Sequence, residues 1–146
     1  MTLVLPDGYQ YVAGSLLSAA WVIMWQILRI NPARKAAGIP YPQLYAENAQ
    51  LKDNPAALRY NCVQRCHQNT LESIPLILIS TLITGLKYPY IAAATSFFWV
   101  LTRVAYTIGY SSGVPEKRAA GAVSGFLVLI GLLAAATVTI VQVCFF

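Results

Sequence analysis

Polar side chains recur between residues 61 and 72 at a spacing that places them on one side of a helix. The four that define this stripe are Asn61, Arg65, Asn69 and Glu72. Their positions, i, i+4, i+8 and i+11, drift only slowly around a helix, so the side chains share one face. Three more polar residues widen the sector: Gln64, His67 and Gln68. The stripe combines a cation, a carboxylate and several amides, which is more than helix packing requires.

A second stripe consists of Arg103, Tyr106 and Tyr110, at i, i+3 and i+7. Together the stripes carry two arginines and one glutamate, so their excess positive charge predicts an anionic ligand. Arginine binds carboxylates through its planar, bidentate fork, and Glu72 can hold a ligand ammonium group. A ligand with carboxylates and an α-amino group would match. Alternatively, the two tyrosines belong to an aromatic belt at a membrane interface.

The composition indicates that lipid surrounds the elements that carry these stripes. Of 146 residues, 58% are hydrophobic and 10% are charged, and the mean hydropathy is +0.58. Soluble domains carry about 25% charged residues, and a chain this small cannot bury so much apolar surface in water. The balance argues against a soluble, disordered or disulfide-stapled chain. It also argues against nucleic acid as a partner, despite the net charge of +5.

The hydrophobic pattern predicts an all-α membrane protein that forms one domain over residues 1–146. A spanning helix needs about 20 residues. The predicted spans are residues 10–30, 59–86, 90–110 and 119–146, joined by loops at 31–58 and 111–118. The pair Asn31-Pro32 is expected to end the first helix. Four spans place both termini on one side of the membrane.

The distribution of charge predicts which side that is. The two long loops and the adjoining helix ends carry Arg34, Lys35, Lys52, Arg59, Lys117 and Arg118. Among basic residues, the opposite side carries only Lys87. The positive-inside rule then places the loops in the cytosol and both termini in the lumen. Arg65 lies six residues beyond Arg59, or about 9 Å along a helix, so we expect a polar pocket that opens to the cytosol.

Residues 61–72, NCVQRCHQNTLE, followed by Pro75, resemble the signature of the membrane-associated proteins in eicosanoid and glutathione metabolism, the MAPEG family. Two further stretches, around Arg34 and from Arg103 to Gly121, resemble its type-three microsomal glutathione transferases. The resemblance covers nearly the whole chain. It implies a homotrimer of four-helix subunits, with glutathione between neighbouring subunits as co-substrate and no tightly bound cofactor. It also implies the endoplasmic reticulum or the mitochondrial outer membrane as the location.

The resemblance to leukotriene C4 synthases, in the same family, implies roles for individual residues. The glutathione contacts map onto Arg34, Arg65, Asn69, Glu72, Tyr106 and Tyr110. The arginine that activates the thiol maps onto Arg118, and Lys117 is the alternative because that match requires one extra loop residue. Lys35 occupies the place of a second arginine proposed to act on the lipid, and His67 stands where those enzymes often have glutamine. No metal site is implied.

The expected function is therefore a membrane glutathione transferase or peroxidase. A glutathione thiolate would attack a lipophilic electrophile, including a leukotriene C4 synthase-like conjugation, or reduce a lipid hydroperoxide. The lipid would enter from the bilayer.

Three alternatives stand beside this interpretation. Arg65, Glu72 and Arg103 can form a buried ion network that only locks helix packing. The chain can be a non-enzymatic lipid-binding scaffold, like the family member that activates 5-lipoxygenase, although Arg118 and the two tyrosines favour an enzyme. It can also be a small channel, although the polar stripes end midway through their spans and residues 119–146 carry no charge.

Overall fold

Four long helices make up most of the chain in a computed structural model, which describes residues 5–145. They are α1 (Tyr9–Ala37), α3 (Pro55–Gly85), α4 (Pro89–Tyr110) and α5 (Ala119–Phe145). A short helix, α2 (Asn48–Leu51), lies in the loop after α1, and a 3-10 helix (Pro115–Arg118) precedes α5. The described chain is all-helical, as the hydrophobic pattern predicts.

Helix α1 does not end at Asn31-Pro32, and the prediction of a break there is wrong. The helix continues through Pro32 to Ala37, because one missing backbone hydrogen bond near a helix end is tolerated. It ends at Gly38, whose φ of 67° lies in the left-handed region that glycine adopts at helix ends. Arg34 and Lys35 therefore lie in the last helical turn, where positive charge is favourable, and not in the loop.

Helix α3 begins at Pro55, earlier than the expected position 59. The Asn54 side chain accepts hydrogen bonds from the backbone N–H groups of Ala56 and Ala57, at 3.1 and 3.2 Å. A capping asparagine followed by proline in the first turn is a favourable helix start. The helix then continues through Pro75 to Gly85, so one rigid element carries the whole stripe from Asn61 to Glu72.

Helices α3 and α4 form the centre of the bundle, with α1 packed against both of them and α5 also packed against both. The largest buried side chain, Trp99, lies in a core cluster with Ile77 and Leu132. Small residues with hydroxyl groups pack at other contacts between the helices. The hydroxyls of Ser15 on α1 and Ser96 on α4, for example, are 2.6 Å apart. Interfaces rich in small polar residues are typical of helices that pack inside a membrane.

The outer surface of the bundle is apolar. Large hydrophobic side chains are exposed on several helices, with Trp21 at 68% and Phe126 at 61%. Three segments are long and apolar enough to cross a membrane, namely Tyr9–Ala37, Pro89–Tyr110 and Pro115–Phe145. These helices indicate an integral membrane protein. Helix α3 is long, but the polar stripe occupies its first half, and the count of four spans stays a prediction.

Both long loops meet at one end of the bundle, which we call the loop end. There the Asn54 side chain donates to the Ala37 carbonyl at 3.1 Å, and Arg59 donates to the Ser111 carbonyl at 3.1 Å. At the opposite end, the Tyr88 hydroxyl bonds to Gln142 at 2.8 Å. The predicted site residues on α3, α4 and the 3-10 helix lie toward the loop end.

Close contact between α4 and α5 depends on Gly121, which is buried beside the Tyr106 backbone. A Cβ atom at Gly121 would lie 2.5 Å from the Tyr106 nitrogen, so Gly121→Ala must push the helices apart. We expect it to lower the unfolding free energy by about 1–3 kcal/mol. Thermal unfolding in detergent checks this, with Gly131→Ala as the matched control because a Cβ there meets nothing within 4 Å. Equal midpoints for the two variants would contradict the contact.

Candidate functional site

The outward side of α3 carries an ion pair. Arg65 Nη1 donates to Glu72 Oε1 at 2.8 Å, and the two side chains are 38% and 47% exposed. It is the only salt bridge found within residues 5–145. An ion pair this exposed contributes at most about 1 kcal/mol to stability. Both side chains are therefore available to a ligand at little cost to the fold.

Arg103 lies inside the bundle and is only 3% exposed. Its guanidinium donates to Asn69 Oδ1 at 3.0 Å and to the Gly121 carbonyl at 2.9 Å, and it packs against the Trp99 and Tyr106 rings. Arg103 thus joins α3, α4 and α5. Arg103 is not part of an ion network with Arg65 and Glu72, because its hydrogen-bond partners are neutral and the Arg65–Glu72 pair is exposed.

The bond from Arg103 also orients Asn69. With its carbonyl oxygen held by the guanidinium, the amide of Asn69 presents its N–H groups away from Arg103. Burying an arginine inside a membrane bundle costs free energy unless its guanidinium finds hydrogen-bond partners. Asn69 is one of these partners, so the orientation of its amide is fixed together with that of Arg103. Asn69 and Arg103 both line a cavity of about 190 Å³ between α3, α4 and α5, together with Ser73 and Phe126.

Two tyrosines and an arginine meet where α4 approaches the 3-10 helix. Tyr106 and Tyr110 pack edge to face with centroids 5.6 Å apart. Arg118 Nη1 donates to the Tyr110 hydroxyl at 3.2 Å, with its guanidinium 4.9 Å from the ring centre. Arg65 and Arg118 both lie within electrostatic range of Tyr110. Arg118 is therefore the cation that contacts the Tyr110 hydroxyl at the loop end.

Close packing of the 3-10 helix against α4 positions Arg118. Gly109 has no side chain to hold the Lys117 backbone carbonyl away from α4. This contact turns the Arg118 side chain toward Tyr110, while Lys117 is exposed and makes no side-chain hydrogen bond in the described chain. Of the two candidates for the thiol-activating cation, Arg118 is the one that contacts a predicted site residue.

Arg34 lies elsewhere. It is 6% exposed, donates to the Gln43 carbonyl at 2.6 Å, and stacks between Tyr41 and Tyr60, 4.3 and 4.9 Å from their ring centres. Tyr60 and Arg65 are five residues apart on α3, so their side chains point about 140° apart. Within one chain, the structure does not bring Arg34 together with the other predicted glutathione contacts.

The remaining candidates, Lys35 and His67, make no contact with Arg65, Tyr110 or Arg118 through a side-chain hydrogen bond in the described chain. Lys35 is exposed at the end of α1. His67 is half-buried, and its Nε2 atom has no hydrogen-bond partner. In residues 5–145 no three His, Cys, Asp or Glu side chains come together as metal ligands would.

The loop end also contains contacts that the sequence pattern did not reveal. Asn61, a member of the stripe, clamps the backbone of Ala46 through two hydrogen bonds of 2.8 and 2.9 Å, and the Tyr45 hydroxyl bonds to Gln68. Asn61 and Gln68 therefore hold the loop between α1 and α3 against the bundle. No feature of the helical spacing distinguishes such anchors from ligand contacts.

The contact geometry resolves the predicted residues into three groups. One group lies on α3, α4 and the 3-10 helix toward the loop end, and its members are half-buried or exposed except for Tyr106, which is 3% exposed: Arg65, Asn69, Glu72, Tyr106, Tyr110 and Arg118. Arg103 supports that group from inside, and Arg34 is bound into the loop after α1.

A comparison with protein families finds that the model of the MAPEG family matches residues 12–138, which covers all four long helices in part or in full. The chain therefore belongs to the MAPEG family, which includes glutathione transferases and related membrane proteins.

Proposed function

We propose that this protein binds glutathione on the group of Arg65, Asn69, Glu72, Tyr106, Tyr110 and Arg118 toward the loop end. We propose further that it activates the glutathione thiol for reaction with lipophilic substrates. The observation that carries this proposal is the hydrogen bond from Arg118 to the Tyr110 hydroxyl, and the partly exposed Arg65–Glu72 pair on α3 supports it. Glutathione offers two carboxylates, one α-ammonium group and one thiol. Arg65 suits a carboxylate, Glu72 suits the ammonium, and the N–H groups of Asn69 suit a peptide or carboxylate oxygen.

The chemistry requires an anionic sulfur. A free cysteine thiol has a pKa of about 8.5 and is mostly protonated at neutral pH, whereas the thiolate is the nucleophile. Arg118 beside the sulfur stabilises the anion and lets the proton leave to solvent. In the transferase reaction the thiolate forms a C–S bond as the electrophile's leaving group departs, or as an epoxide C–O bond opens and its oxygen takes a proton.

The same thiolate can reduce a lipid hydroperoxide. Sulfur attacks the outer peroxide oxygen, the O–O bond breaks, and the lipid alkoxide takes a proton to become an alcohol. The glutathione sulfenic acid then condenses with a second glutathione, which gives the disulfide and water. The residues around Arg118 support either reaction, and neither calls for a tightly bound cofactor.

A second copy of the chain would complete the site. Arg34 points away from Arg65 within one subunit, so a glutathione that contacts both arginines must lie between two chains. This arrangement supports the homotrimer with shared sites. From the sequence stretches around Arg34 and from Arg103 to Gly121, we further propose a similarity to the type-three microsomal glutathione transferases. We place the loop end in the cytosol, where the positive-inside rule puts it, on the endoplasmic reticulum or the mitochondrial outer membrane.

Chemical cross-linking in mild detergent tests the assembly. We expect bands for one, two and three subunits, with the trimer dominant at long reaction times. A band that stays at one subunit, under conditions in which the protein still binds glutathione, would contradict a site shared between chains.

An activity panel tests the function. The purified protein is assayed with glutathione against a lipid hydroperoxide, leukotriene A4 and a chlorinated aromatic compound. We expect turnover with at least one of them and loss of that turnover in Arg118→Ala. Binding of a lipid without any glutathione binding or turnover would favour the scaffold of the 5-lipoxygenase-activating type instead.

A further inference from the structure

A second cavity lies at the loop end, in a cleft between α1 and α3. Its volume is about 350 Å³. Arg29 and Arg59 line its polar side, and its apolar side includes Leu28, Pro32 and Val63. The cleft therefore places two cations beside a hydrocarbon surface.

Both arginines donate a hydrogen bond to the same residue, Ser111, which follows α4. Arg29 Nη2 donates to the Ser111 hydroxyl at 2.8 Å, and Arg59 Nε donates to the Ser111 carbonyl at 3.1 Å. The Arg29 guanidinium also stacks on Trp25, 5.0 Å from the ring centre. Ser111 is neutral, so it orients the two guanidinium groups without neutralising them.

The charge on the cleft is not balanced by the protein. Within residues 5–145 neither arginine lies within 4 Å of a carboxylate, since the one salt bridge joins Arg65 to Glu72. Arg29 Nε is buried and has no hydrogen-bond partner. The terminal nitrogens of Arg59 make no hydrogen bond to the described chain. Two unpaired cations at a partly enclosed site favour an anion that can accept several hydrogen bonds.

The cleft is separate from the proposed glutathione site. On α1, Arg29 and Arg34 are five residues apart, which turns their side chains about 140° from each other. On α3, Arg59 and Arg65 are six residues apart, a rotation of about 120°. The cations of the cleft therefore face a different side of each helix, and the inference does not rest on the glutathione chemistry.

Capping of α4 is the simplest alternative explanation for these arginines, because basic side chains often bond the last carbonyls of a helix. A cap accounts for the bonds to Ser111. It does not account for the cavity, for the remaining donors, or for the apolar wall beside them. Leu28, at the edge of the cleft, is 67% exposed and continues that wall onto the outer surface of α1.

We propose that the cleft holds the headgroup of an anionic phospholipid. The phosphate lies between Arg29 and Arg59, and an acyl chain follows Leu28 along α1. Arg59 lies in the second turn of α3, and Arg29 lies about two turns before the end of α1. Arginines in the outer turns of a membrane helix extend their guanidinium groups toward the headgroup layer, where basic residues attract anionic lipids. The charges and the adjoining apolar surface match the two parts of such a lipid, and a free phosphate would use only the first.

Native mass spectrometry of the purified, detergent-solubilised protein tests this with equal amounts of phosphatidylserine and phosphatidylcholine. We expect the protein to retain phosphatidylserine with a preference of roughly tenfold or more. Arg59→Gln and Arg29→Gln should each remove most of that preference. Lys52→Gln is the matched control, because Lys52 is exposed in the same loop region, loses the same charge, and does not line the cleft. Glutathione binding should be unchanged in Arg59→Gln.

Three results would overturn the proposal. Equal loss of preference in Lys52→Gln and Arg59→Gln would mean that diffuse charge attracts the lipid. Displacement of phosphatidylserine by millimolar inorganic phosphate would make free phosphate the occupant. An unchanged preference in Arg59→Gln, with only a lower unfolding midpoint, would leave the arginines as helix caps. Arg59 is largely exposed, so its variant decides the matter even if Arg29→Gln fails to fold.

Discussion

Arg118→Ala should lower turnover with glutathione by roughly a hundredfold or more, while glutathione affinity changes only a few-fold. The proposed reason is that Arg118, which contacts Tyr110, lies beside the glutathione sulfur and stabilises the thiolate more than the thiol. A shift of the thiol pKa by about two units corresponds to about 2.7 kcal/mol. Steady-state kinetics and calorimetric binding to glutathione measure the two effects separately.

The loss should also depend on pH in a defined direction. Without Arg118 the bound thiol keeps a pKa near that of a free thiol, about 8.5, so the thiolate fraction of the variant rises as the pH is raised. If Arg118 lowers the pKa of the bound thiol as proposed, the wild-type thiol is already largely ionised at neutral pH. The ratio of wild-type to variant turnover should therefore shrink between neutral and alkaline pH.

Lys117→Ala is the matched control for this experiment. Lys117 is the adjacent cation and also part of the 3-10 helix, but within the described structure its side chain makes no hydrogen bond or cation–π contact with Tyr110. We expect its turnover to stay close to wild type. A large loss in Lys117→Ala with normal turnover in Arg118→Ala would transfer the thiol-activating role to Lys117. A loss of affinity alone in Arg118→Ala would contradict activation by that residue.

Glu72→Ala and Arg65→Ala should each weaken glutathione binding by roughly tenfold or more, since a hydrogen bond to a charged group contributes about 1.5–3 kcal/mol. The fold should change little, because the ion pair between them is exposed and worth at most about 1 kcal/mol. Calorimetric titration with glutathione, together with thermal unfolding in detergent, separates binding from stability.

A glutathione analogue that lacks the α-amino group sharpens the assignment. If Glu72 holds the ammonium, Glu72→Ala should bind this analogue as well as the wild type does, while Arg65→Ala should still bind it poorly. Lys87→Ala, at the opposite end of the bundle, controls for a general change in charge. Normal glutathione affinity with a large drop in the unfolding midpoint would instead make the pair a packing device.

The sequence predicted the helical character and the polar surfaces of the chain because both follow from periodicity and composition. The spacing from Asn61 to Glu72 places these residues on one α3 surface, and the Arg65–Glu72 pair lies there. The periodicity of a helix does not show how deeply each side chain is buried, however. Arg103 and Arg65 are both arginines on polar stripes, yet one is 3% exposed and the other meets solvent, because α5 covers only the first of them.

Errors arose where a local signal competed with tertiary contacts. Asn31-Pro32 is a strong break signal, but Gly38 and the loop contacts of Arg34 fix the helix end later. Asn61 shares its stripe with the predicted glutathione contacts Arg65, Asn69 and Glu72, but it clamps the Ala46 backbone. The position of Arg34 between two tyrosines depends on the path of the loop at residues 38–47, which no helical pattern encodes.

Ultraviolet difference absorbance during a titration with glutathione tests the central claim most directly, because a thiolate absorbs where a thiol does not. At neutral pH the wild-type protein should develop the thiolate band in proportion to bound glutathione, and Arg118→Ala should bind glutathione without developing it. If saturating glutathione is bound by the wild-type protein and no thiolate band forms, the proposed activation of the thiol by Arg118 is wrong.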